Sequence, residues 1–256
     1  MLGKLAILTI ALFAATIIVG SIGIAFYYSY RSTLLTITAQ RPLGLVLSKV
    51  SSLEYKMYVS PSGDTYYVTL KNYPNRTVYI VLTNSSGYEL GFVEFGYNST
   101  NITWIYMNMG GVKRNVSGSN MSSYITPLLT SATISYNPFT GTISLEAFPG
   151  LGPLYGLSYF SSYYNINWKD LLDGQPGSTD ATVGYLFTPI VFNGKSYRGV
   201  EITITPQTSF LGTSGAYSVS AGVINLDGVP VAAQITVGTG AANYISMTLL
   251  NLTAYS

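Results

Sequence analysis

The chain has no cysteine and no histidine among its 256 residues. Without cysteine, the disulfide-stapled scaffolds of small secreted proteins are excluded. Without either residue, zinc, copper and haem sites lose their usual ligands, and neither a Ser-His nor a Cys-His nucleophile pair can be built. Charge is also scarce. Only 9% of residues are charged, against about a quarter in an average soluble domain. The net charge of +2 leaves no electrostatic footprint for nucleic acid. With so few carboxylates, acidification removes little paired-carboxylate stability, which suits an acidic exterior.

The remaining routes to catalysis are equally thin. There is no Gly-x-Ser-x-Gly elbow, and no serine stands three residues before a lysine. Asp170 and Asp173, close to Trp168 and Lys169, form the one close acidic pair in a loop-like setting. A glycosidase dyad with a sugar-stacking indole is one reading; a charged helix end followed by a turn is the simpler one. Glu89 and Glu94 are five residues apart on an expected strand, so they point to opposite faces. Asp170, Asp173 and Asp180 do not have the spacing of a calcium loop. The sequence therefore predicts no enzyme, no catalytic residue, no metal and no cofactor.

What the chain has instead is tyrosine, 23 residues of it, among many serines, threonines, asparagines and glycines. Hydroxyls and amides replace charge as the solubilising surface. Asn-x-Ser/Thr sequons begin at Asn75, Asn84, Asn98, Asn101, Asn115, Asn120 and Asn251. All but the last lie between residues 75 and 122, so N-linked glycans are expected on the first half of an exterior region.

A charge-free stretch runs from Leu5 to Tyr30, directly after Lys4. Its apolar part, Leu5 to Tyr27, would span about 35 Å as a helix, against a hydrocarbon core of about 30 Å. Phe26, Tyr27, Tyr28 and Tyr30 suit an interfacial aromatic belt. Three readings stay open: an uncleaved anchor, a signal peptide cut near Gly23-Ile24-Ala25, and a helix packed in a filament core through its small residues. In each, the segment enters the membrane at least before assembly, and the rest works at the cell surface or outside it.

Beyond Arg31 the pattern becomes short runs of β-branched and aromatic residues between turn signals. Glu54–Val59 with Thr65–Leu70, Arg76–Thr83 with Tyr88–Phe95, and Thr133–Tyr136 with Thr142–Ala147 each read as hairpins. Tyr217–Leu226 and Val229–Val237 flank Asp227-Gly228, a strong hairpin signal. Ser196–Thr205 and Tyr244–Thr253 also alternate, and Ser161–Leu172 holds one short helix before Asp173-Gly174. The expected fold is mainly β: an N-terminal hydrophobic helix over 1–31, then one or two antiparallel, Ig-like β-sandwiches, over 32–150 and 151–256. The boundary is expected at Pro149-Gly150-Leu151-Gly152-Pro153.

An N-terminal membrane-type helix, followed by a cysteine-free, Tyr/Ser/Thr-rich, sequon-laden β region, resembles the surface filament subunits of thermoacidophilic archaea, chiefly archaeal type IV pilins. A second resemblance is to archaeal donor-strand threads, with Ser32–Gln40 as the donated strand. A third is to archaeal virus envelope or turret proteins. The resemblance implies a non-enzymatic structural subunit that polymerises with copies of itself through the helix and through charge-poor β faces. The stretch Ile202–Ser256, with Asp227 as its one acidic residue, is the expected contact. The alternative function is a membrane-anchored extracellular binding module.

Overall fold

A computed structural model describes residues 16, 19–32, 34–35, 49–60, 62–98, 102–109, 111–118, 134–137, 142–145, 165–207, 217–237 and 244–255. The expected boundary at 149–153 lies outside these residues, as do Asn101, Asn120 and the first fifteen positions.

The described chain is mainly β and antiparallel. A meander of hairpins comprises β1 (Val50–Val59), β2 (Asp64–Tyr73), β3 (Thr77–Asn84), β4 (Glu89–Tyr97), β5 (Ile102–Met109) and β6 (Val112–Ser117). A separate hairpin follows, β7 (Ile134–Asn137) with β8 (Thr142–Leu145). The second meander comprises β9 (Ala181–Phe192), β10 (Lys195–Pro206), β11 (Tyr217–Ile224), β12 (Pro230–Val237) and β13 (Tyr244–Ala254). The two meanders join through β1 and β13, giving one 11-stranded sheet in the order β6-β5-β4-β3-β2-β1-β13-β12-β11-β10-β9. This differs from the expected Ig-like sandwiches. Leu53–Leu252 and Met57–Met247 pair directly, so residues expected in two separate sandwiches are bonded across a single sheet.

The turns follow from local chemistry. At the β11–β12 turn Asp227 and Gly228 both have positive φ, 54° and 72°, as the tight primed hairpin turn requires. Asn193 and Gly194 do the same between β9 and β10, at 48° and 74°. Along the strands burial alternates with period two, which selects the face that packs. Leu53, Tyr55, Met57 and Val59 on β1 are buried, with Val68 and Leu70 on β2, Val78 and Ile80 on β3, and Ile245 and Leu249 on β13. Each such side chain contributes about 1.5–3 kcal/mol when fully removed from water.

One buried polar residue ties this core together. The Asn72 amide nitrogen donates to the Val50 carbonyl at 3.3 Å, and its oxygen accepts from the Tyr97 hydroxyl at 3.1 Å. The Tyr255 hydroxyl donates to the Asn72 carbonyl. Strands β1, β2 and β4 and the segment after β13 are thereby cross-linked.

A second core lies under β9–β11: Val200, Ile202, Ile204 and Val223 pack with Ile166, Trp168, Leu172 and Leu34. Its helical members are Leu34 and residues of a short helix. Residues 19–32 form α1, and residues 34 and 35 are also helical. Helix α2 (Trp168–Leu172) starts at Asn167, whose side-chain oxygen accepts from the Lys169 and Asp170 amides. Trp168 and Leu172, four apart, share its buried face.

One expectation is corrected here, and a second lies largely outside the described residues. Ser32–Gln40 is not an extended donor strand where it is described: residues 32, 34 and 35 are helical, and Leu34 is fully buried in the chain's own core. The anchor expected over Leu5–Tyr27 is helical at 16 and 19–27, but among the described residues no helix is long and apolar enough to cross a membrane.

Candidate functional site

Two features stand out: the junction between α1 and the sheet, and an open trough across four strands.

At the junction, Arg31 forms an ion pair with Asp173 at 2.6 Å. Tyr27 donates its hydroxyl to the Leu172 carbonyl at 3.1 Å, and Arg198 on β10 donates to the Ser29 hydroxyl. Tyr30 stacks on Phe187 of β9, with ring centroids 5.5 Å apart. The Arg31 guanidinium is held above its ordinary pKa, first by the hydrogen bond to Asp173 and then by Tyr27. The Tyr185 phenol is pushed up by burial and then by neighbouring Tyr27. The C-terminal end of α1 is thus fastened. The rest of the helix is bare: residues 19–28 are all exposed, and Val19, Ile22, Ile24, Phe26 and Tyr28 are each more than half exposed, Val19 at 69%. A cluster of exposed large apolar residues on one helix marks a contact surface.

The acidic pair of the sequence analysis is accounted for by this junction and by capping. Asp170 accepts from the Asn167 amide at 2.7 Å, while Asp173 is taken up by Arg31. Each carboxylate is engaged by a different structural partner. Among the described residues no three acidic, histidine or cysteine ligands gather as a metal site would need.

The trough lies on β10–β13 and encloses about 460 Å³, within the usual range of small-ligand sites. Its lining follows from register. Glu201, Gly222, Ala232 and Thr248 are successive cross-strand partners, and so are Thr203, Ser220, Gln234 and Ser246. Cross-strand partners share a face. These two rows therefore flank the trough, while Ile202 and Met247 between them point to the opposite face and are buried. Side chains in both rows are short, apart from Glu201 and Gln234, and Gly222 brings backbone to the surface. The second row continues onto β1 at Tyr58, whose ring pairs with Tyr244 at 6.0 Å. The first continues at Lys56.

In sequence, Ile202–Ser256 reads as a charge-poor subunit contact, and none of the lining residues is singled out as a ligand site. Alternation of threonine and serine with apolar residues was the available signal, but which strands lie side by side is set by long-range pairing.

The sequon asparagines are distributed as follows. Asn75 is exposed in the β2–β3 turn, Asn98 after β4, Asn115 on edge strand β6 and Asn251 on β13. Asn84 is half-buried, its side-chain oxygen accepting from the Ser86 and Tyr88 amides at 3.0 and 2.9 Å.

No protein-family profile and no curated protein matches the chain. Among solved structures, the MucA/MucB complex of Pseudomonas aeruginosa aligns at 9% identity and a TM-score of 0.43, over 89% of this chain and 58% of that one. The chain thus spans little more than half of the matched chain. A LolA superfamily protein from Nitrosomonas europaea aligns at 8% identity and a TM-score of 0.35, over 82% and 87%. An outer membrane lipoprotein-sorting protein domain from Vibrio parahaemolyticus aligns at 7% and 0.26, over 81% and 85%. At these values the likeness carries no function across.

The archaeal filament expectation is corrected on two findings. The solved structures named above are not pilins, donor-strand threads or viral envelope proteins. The self-association surface placed on Ile202–Ser256 is also accounted for within the chain. Strands β11, β12 and β13 are interior to the sheet, flanked on both sides, and Ile202, Ile204, Val223, Ile245, Met247 and Leu249 are buried in the chain's own cores.

Proposed function

We propose that the chain is a non-enzymatic binding module of the cell envelope, facing lipid through the exposed apolar residues of α1 and displaying its sheet away from it. The observation that carries this is the run of exposed apolar residues along α1. The helix is fastened at its C-terminal end to α2 and the sheet by Arg31, Tyr27 and Tyr30, while Val19, Ile22, Ile24, Phe26 and Tyr28 are presented to the surroundings. In water these groups cost free energy; against acyl chains they gain it, and the tyrosines suit the interface. N-linked glycans at the exposed sequons belong to the same reading, since they require an exterior location.

Flotation of the full chain with phosphatidylcholine vesicles tests the proposal. The wild type is expected to float with the vesicles, and the Ile22→Lys, Phe26→Lys double variant to stay behind. A wild type that does not float, or a variant that floats equally, overturns it.

A further inference from the structure

The geometry points to the β10–β13 trough as a binding site for a neutral oligosaccharide. This is independent of lipid contact at α1, which lies on other residues.

The first argument is chemical. The side chains that can reach a ligand in the trough are the hydroxyls of Thr203, Ser220, Ser246 and Thr248, the amide of Gln234 and the carboxylate of Glu201. Hydroxyls and amides both donate and accept, and a carboxylate accepts from two hydroxyls at once. That set complements a polyhydroxyl surface. The lining itself holds no cation; Lys56 extends the Glu201–Thr248 row on β1, a single positive charge that the Glu201 carboxylate in the trough offsets for a phosphate or an acidic glycan. An acyl chain laid over these hydroxyls would desolvate them without replacing their hydrogen bonds.

The second argument is topological. An extended peptide docks by adding a strand to a free sheet edge. Strands β10 to β13 are all interior, so their backbone groups already pair on both sides. A ligand here must instead lie across the strands and be read by side chains. Four strands give about 14 Å between the outermost two, room for several sugar rings in a row.

The third is shape. Gly222 and Ala232, adjacent on one row, keep the floor of the trough low, with the Ile190 side chain 3.5 Å from where a Cβ of Gly222 would stand. Tyr58 and Tyr244 close the β1 end, and an aromatic face there offers a stacking platform for a sugar's C–H face.

The test is titration of the full chain, in detergent, with mannotriose, maltotriose and chitotriose, followed by saturation-transfer NMR and calorimetry. At least one sugar is expected to bind saturably. Glu201→Gln, an exposed near-isosteric change, is expected to weaken that binding at least tenfold. Ala232→Trp, which fills the trough, is expected to abolish it, with circular dichroism unchanged. If Ala232→Trp disturbs the fold, Glu201→Gln alone decides. Absence of binding by all three sugars at millimolar concentration overturns the inference. So does binding that survives Glu201→Gln unweakened, which would place the sugar elsewhere. Equal competition by a neutral Gly-Ser hexapeptide overturns it in favour of a peptide site.

Discussion

The hydroxyl of Tyr55, at the centre of β1, donates to the carbonyl of Pro230 at the start of β12, 3.0 Å away and fully buried. This bond skips β13, the strand between them in the sheet, and pins the β11–β12 hairpin against the first core. Tyr55→Phe would keep the ring and leave the carbonyl without its partner. A loss of about 1–3 kcal/mol is expected, read from urea unfolding; a change within error would show that this carbonyl regains water.

Burial of phenols also sets an alkaline limit. Tyr55 is pushed far above its ordinary pKa by burial, and Tyr66, Tyr79 and Tyr255 are raised with burial as the first cause. The folded state holds these protons more tightly than the unfolded chain, so their contribution is complete below about pH 10 and is lost as pH rises beyond it. Melting temperature should therefore fall steeply above about pH 10. A flat profile to pH 12 would contradict this.

The Arg31–Asp173 pair is exposed, so its contribution to global stability is small and screened by salt. Its expected role is local. Arg31→Ala and Asp173→Asn should each raise hydrogen exchange in 19–32 while leaving β1–β4 protected. The double variant should add little to either single one. Additive effects would mean that the two residues act separately.

Glycopeptide mapping should find Asn75, Asn98, Asn115 and Asn251 occupied, and Asn84 much less so. The first four are exposed, whereas Asn84 holds the β3–β4 turn through its side-chain oxygen. An occupancy at Asn84 equal to the rest would show that the sugar is attached before that turn forms.

Much of the strand pattern was legible, because alternation and turn chemistry are local. The hairpins β1–β2, β3–β4, β7–β8 and β11–β12 and the short helix α2 stand where the sequence predicts them. Strand β9 did not announce itself, although Asn193-Gly194 behind it is a hairpin signal of the same kind as Asp227-Gly228. Its alternation of exposed Leu186 with half-buried Phe187 blurs the polar face. What no local signal carries is the β1–β13 pairing. Without it the two meanders read as two sandwiches, the trough has no walls, and a charge-poor stretch looks like an outer surface. Asn72 is similar: one asparagine among many, its importance set by Val50, Tyr97 and Tyr255 converging from distant positions.

The strand order constrains how the chain is made. Each meander grows from neighbours in sequence, so β1–β6 can assemble hairpin by hairpin while the ribosome is still working, as can β9–β13. The seam between them is the first strand of the sheet against its last. Until Tyr244–Ala254 emerges, β1 waits with one side unpaired, a template for any other extended chain. A nascent chain stalled before residue 244 therefore holds a nearly complete half-sheet with a bare, apolar-flanked border. In this protein one late strand, Tyr244–Ala254, decides whether the half-sheet made earlier is sealed or left as a seed for aggregation.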